Sequence, residues 1–194
     1  QMCIRDRNKS TYEREMENLR TDIANQQEYL DHSIWINMSP YDVCEARADL
    51  FVSTGYQIMP GMEYQNRDNT DTILQAYQSL LTSSAVLEDV AKQVKTEPRY
   101  LEELVEVTIG ANQDGQLNRM LTIDVKHTTK EDAKEVLDAF LAHVDDMHDR
   151  IATSIGEHTV SIVNESVSAL VNLNLAELQR QQTEKLTTLN DSLQ

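Results

Sequence analysis

The chain has 194 residues, with 33 acidic side chains against 17 basic ones and a formal net charge of −16. That balance excludes a broad nucleic-acid-binding surface, because nothing neutralises a phosphate backbone, and no apolar run reaches the roughly 18 residues of a membrane-spanning helix. Only five glycines and three prolines are present, which argues against a turn-rich β-sandwich and for long regular elements around one core of ordinary size.

Residues 1–8 fit no element and read as an artefact or a disordered lead-in. A helical stalk segment is expected over 9–32, where Tyr12, Met16, Leu19, Ile23 and Leu30 recur at threes and fours, with Gln26 or Gln27 in the missing place. Such a seam is coiled-coil-like, short and partly polar. Pro40 ends a short extended piece after it, and residues 41–46 suit a turn of helix. Leu50, Val52, Thr54 and Tyr56 alternate and predict a first strand over 50–58.

Pro60, Gly61, Gln65, Asn66 and Asp68 mark a loop. Thr70 or Asp71 is the expected cap of a helix carrying Ile73, Leu74, Tyr77, Leu80 and Leu81, and Ser84 that of a second with Val86, Leu87, Val90, Ala91 and Val94. Pro98 separates off a third short helix over 100–104. Val105, Val107 and Ile109, then Leu121, Ile123 and Val125, alternate as two strands joined antiparallel through Asn112, Asp114 and Gly115.

The clearest helix follows: Thr128 or Thr129 caps it, and Glu131 and Asp132 sit in its first turn at the positive end of its dipole. Ala133, Leu137, Phe140, Val144, Met147, Ile151 and Ile155 form its apolar seam, and Gly156 stops it. A last strand is expected over 158–163. Leu175, Leu178, Leu186, Leu189 and Leu193 then mark a second stalk segment, truncated, over 172–194, its seam weakened at Gln182 and Lys185. The fold class is therefore α+β, a small mixed or antiparallel sheet backed by helices over 33–171, with coiled-coil-like helices at both ends. Met16, Leu19, Ile23, Leu178, Leu186 and Leu189 are the candidate assembly residues.

Catalytic motifs are not found, and no catalytic, cofactor-binding or metal-binding residue is assigned. His143 and His148 are ill spaced for a shared ligand face, and no HExxH or paired-cysteine pattern accompanies them. Asp145 and Asp149 stand one turn apart, as exposed acidic helix faces often do. The glycines lie singly, so no phosphate-cradling loop is present, and Cys3 and Cys44 form no CxxC pair.

Thr82-Ser83-Ser84-Ala85-Val86-Leu87 with Val90-Ala91, then Leu121-Thr122-Ile123-Asp124-Val125, then Lys130-Glu131-Asp132-Ala133-Lys134-Glu135-Val136-Leu137 occur in an order continued by the strand at 159–163 and the helix from Leu175. In this order residues 77–193, and more loosely 50–75, resemble the extracytoplasmic domain of the polysaccharide chain-length determinant family, also called polysaccharide co-polymerases. The resemblance implies a non-enzymatic domain at the outer face of the cell membrane. It would be held there by membrane segments absent from this chain, form a homo-oligomer, have a glycan polymerase or glycan as partner, and need no cofactor or nucleic acid. It further implies regulation of polysaccharide chain length or export. The additional helix over 12–30 departs from the family pattern and suggests the returning stalk of a preceding module. The alternative expectation is a coiled-coil scaffold or adaptor that binds a helical partner.

Overall fold

The computed structural model describes residues 2–57, 60–61 and 67–193. Ile58, Gln65 and Asn66, assigned above to a strand end and a loop, lie outside the described residues. The chain divides into two compact units, Asp42–Leu170 and a second made from the residues up to Tyr41 with those from Val171 onward.

The larger unit is α+β. Strands β1 (Val43–Thr54), β2 (Val105–Ala111), β3 (Leu117–His127) and β4 (His158–Leu170) form one antiparallel sheet in the order β2-β3-β1-β4. Helices α2 (Thr70–Leu81), α3 (Ser84–Gln93) and α5 (Lys130–Ser154), with the short α4 (Pro98–Glu102), supply its apolar layer. Ala46, Ala48, Leu50 and Val52 of β1 are buried against Ile73, Leu74, Tyr77, Leu137 and Phe140. Packing of that apolar face stabilises the unit by roughly 25 cal/mol for each Å² removed from water.

Several of the sequence expectations for this unit need correction: the strand expected over 50–58 ends at Thr54, and the short helix expected over 100–104 spans Pro98–Glu102. Residues 41–46, expected as a turn of helix, belong largely to β1, which starts at Val43. Alanine favours helix in isolation, but Ala46 and Ala48 occupy a strand paired on both sides, where small side chains let α5 lie close. The last strand runs to Leu170 rather than Val163, because its whole length finds backbone partners on β1.

Local chemistry sets the element ends. The Thr129 side chain accepts from the Asp132 backbone N–H and caps α5, as its spacing predicts. At α2 the N-cap position is Asn69, one residue before the first expected cap, and the Asp68 carboxylate accepts from the Thr70 N–H at 3.0 Å. Gly115, at φ +82°, supplies the left-handed residue of the β2–β3 turn, a conformation open to glycine at no steric cost.

The second unit pairs α1 (Met2–His32) with α6 (Leu173–Leu193) in antiparallel fashion. Two boundaries differ from expectation. α1 already begins at Met2, so the opening residues continue its helix instead of fitting no element. Residues 33–41, placed above with the sheet, belong to the helical unit, where Ser33, Ile36 and Met38 are buried. Asn37 Nδ2 donates to the carbonyls of Leu30 and Ser33, both at 2.8 Å, and so satisfies the C-terminal end of α1. Among the described residues no helix is long and apolar enough to cross a membrane.

Candidate functional site

The helical pair is where the candidate assembly residues lie. Met16, Leu19 and Ile23 on α1, and Leu178, Leu186 and Leu189 on α6, are all half-buried. On α1 the seam reads Met16, Leu19, Ile23, Gln26, Leu30 and Ser33; on α6 it reads Leu175, Gln179, Gln182, Leu186, Leu189 and Leu193. Both alternate threes and fours, the spacing that keeps one stripe of a helix facing one neighbour. Leu178 stands beside Leu175 at the edge of the stripe, and Leu175 itself is fully buried.

The residues that fix the pairing are glutamines, which an apolar search passes over. Gln26 Nε2 donates to Gln182 Oε1 and to the Gln182 carbonyl, both at 3.1 Å, and Gln26 is only 6% exposed. Gln179 Nε2 donates to the carbonyls of Ile36 and Met38 at 2.8 Å each. The Asn172 N–H bonds the Pro40 carbonyl at 2.7 Å, and the Asn172 side chain accepts from the Leu175 N–H at the start of α6. The visible signal for these contacts was a polar residue at a seam position in both helices. Neither helix alone reveals its partner.

Counting outward from the Gln26–Gln182 level, Leu193 falls about opposite Glu15, as equal helical rise requires. Tyr12, 63% exposed, lies past the paired stretch.

In the larger unit a polar cluster joins α2, α5 and β4. The Tyr77 hydroxyl meets His158 Nε2 at 2.7 Å, His158 Nδ1 meets the Gly156 carbonyl at 2.9 Å, and His148 Nε2 meets the His158 carbonyl at 3.0 Å. Nδ1 of His158 must carry a hydrogen to donate to a carbonyl, which leaves Nε2 as the partner of the Tyr77 hydroxyl. Burial, with help from Asp145, pushes the Tyr77 phenol up to about 12, so it stays a donor. Hydrogen bonding to the His158 carbonyl, then to Asp149, raises the His148 imidazole above its ordinary value. Tyr77 and His158 bond to each other and to the Gly156 carbonyl, so the cluster can pin β4 to the helices.

The sheet face away from α5 carries a charge network. Asp49 accepts from Thr122 at 2.7 Å, Asn164 at 3.0 Å and Arg47 at 3.1 Å. Burial pushes its carboxyl up, but these three donors outweigh burial and hold it below the usual carboxylate range. Asp124 is 3.9 Å from Arg47 through one oxygen, while the other is buried without a hydrogen-bond partner. Burial accordingly raises the Asp124 carboxyl against the pull of Arg47 and Lys126. Among the described residues no group of three or more His, Cys, Asp or Glu side chains could hold a metal ion.

The chain matches no protein-family model and no curated protein sequence. A structure-based comparison aligns 77% of it with 32% of the chain in the crystal structure of AtUAH in complex with glyoxylate, at 14% identity and a TM-score of 0.30. A likeness that slight supports no inference about activity.

Proposed function

We propose that this chain is a non-enzymatic, extracytoplasmic domain of a membrane protein that regulates the length or export of a polysaccharide. The supporting observation is the antiparallel pairing of α1 and α6 through Gln26 and Gln182, which brings the outer ends of both helices to the same end of the pair. Membrane segments continuing from those two ends would enter one bilayer side by side. In this reading the helical pair acts as a stalk segment. The half-buried seam leaves Met16, Leu19, Ile23, Leu178, Leu186 and Leu189 with surface for neighbouring copies in a homo-oligomer that works beside a glycan polymerase.

The test uses the full reading frame in its own host. Deleting the gene and restoring it with Leu19→Asp or Leu186→Asp should shift the length distribution of one surface glycan on a gel, whereas the unchanged gene should restore it. A glycan profile that is the same in deletion and wild type overturns the reading. The alternative, a scaffold that binds a helical partner, gains support if the same variants lose a co-purifying protein while every glycan stays unaltered.

A further inference from the structure

The two edges of the sheet are treated differently. At the β2 edge the Gln78 amide reaches across and donates to the Val107 carbonyl at 2.9 Å, so part of that edge is already occupied. β4, the other edge, spans 13 residues and among the described residues is paired only to β1. From Ser161 to Ala169 every residue is exposed, including Ile162, Val163 and Val167 at 52%, 56% and 37%. Natural edges are usually protected by proline, lysine or shortness. β4 has no proline, glycine, lysine or arginine, and its one carboxylate, Glu165, pairs at 2.8 Å with Lys134, which also holds Asp138.

Beside this edge runs one stripe of α5. Lys134, Asp138, Leu141, Asp145 and His148 recur at fours and threes and therefore share a face. Lys134 reaches Glu165, and His148 reaches the His158 carbonyl, which places that face along β4. Between them lies a cavity of about 360 Å³ lined by Val144, Asp145, His148, Thr159 and Val160. Val144 and Val160 meet the polar Asp145, His148 and Thr159 there, and on the same helix Asp138 and Asp149 are exposed within two turns of Asp145.

We propose that β4 and this groove take up an extended segment of another protein, which adds as a fifth strand. Main-chain hydrogen bonds to the open edge would supply affinity. The acidic flank selects a segment with β-branched or apolar side chains interspersed with lysine or arginine. A second copy of this chain fits poorly. Pairing β4 with β4 about a twofold axis perpendicular to the sheet sets both α5 stripes on the same face, so that Asp138, Asp145 and Asp149 oppose their own counterparts in chains that each carry a net charge of −16.

The experiment is fluorescence anisotropy on the whole chain with three labelled ten-residue peptides. One alternates valine or threonine with lysine, the second replaces lysine by glutamate, and the third is the lysine peptide with its backbone amides methylated. The lysine peptide is expected to bind, weaken with salt, and lose at least tenfold in affinity on either change. Asp138→Lys with Asp145→Lys, both at exposed positions, should cost a similar factor without altering the circular dichroism. No binding of the lysine peptide overturns the proposal, and equal binding of the methylated peptide does too, since charge attraction alone would then suffice. Dimerisation in sedimentation that is abolished by Ile162→Lys would also overturn it, by making a second copy the occupant.

Discussion

Gln26 and Gln182 form a hydrogen-bonded side-chain pair between α1 and α6, with Gln26 Nε2 at 3.1 Å from both the side-chain and main-chain oxygens of Gln182. A part-buried amide pair in the seam ties each helix to one register, because sliding by a turn one way would set Gln26 against Leu186 and Gln182 against Leu30, and the other way would set Gln182 against Ile23. Gln26→Ala should therefore cost about 1–2 kcal/mol in chemical denaturation. The double change Gln26→Leu with Gln182→Leu should recover most of that loss while broadening the register. A double-mutant cycle measures the first effect, and cysteine cross-linking at neighbouring levels measures the second.

Leu19 and Leu186 test the apolar part of the same seam. Each is half-buried, and a charge at either position must be desolvated or must separate the helices. Leu19→Asp and Leu186→Asp should each lower helicity at 222 nm and remove a low-temperature step in thermal melting. Tyr12→Asp, at the exposed end of α1, should change neither.

Tyr77→Phe removes the donor to His158 Nε2 inside a buried site, and an unsatisfied buried acceptor costs about 1–3 kcal/mol. His148 adds a pH dependence to the same cluster. Its folded pKa is raised, so its stabilising contribution is complete below its unfolded value, about 6.5, and is lost as pH rises through the raised value. His148→Gln should flatten the change in stability across that window, as read from urea midpoints at a series of pH values.

Asp49 and Asp124, on the open sheet face, should respond with opposite signs. The Asp49 carboxyl is lowered, so its contribution is present above its unfolded value and disappears as pH falls through the folded one. Asp49→Ala should cost about 2 kcal/mol at neutral pH through the loss of charged hydrogen bonds. The Asp124 carboxyl is raised by burial, so its ionised form weakens the fold, and stability falls as pH rises through its folded value. Asp124→Asn should raise the melting temperature at pH 7, and a fall in Tm would contradict this assignment of the network.

Much of the fold was legible along the chain. The seam of α5, its Thr129 cap, the β2–β3 hairpin and the 3-4 spacing of both terminal helices all follow from contacts within one turn of helix or between alternate residues of a strand, which a linear pattern records directly. The helical conformation of α1 and α6 belongs to that class, and so do five of the six assembly candidates placed on the seam, with Leu178 at its edge. Tertiary structure decided the rest. Ala46 and Ala48 became strand because β3 and β4 pair on either side of them, and β4 lengthened to Leu170 because β1 offered partners all the way. Gln26 changed from a gap in an apolar stripe into a register lock only when Gln182, 156 residues away, came opposite it. Local periodicity states which face an element must hide, whereas the identity of the neighbour that hides it depends on contacts between distant segments, and no window of the sequence contains both partners.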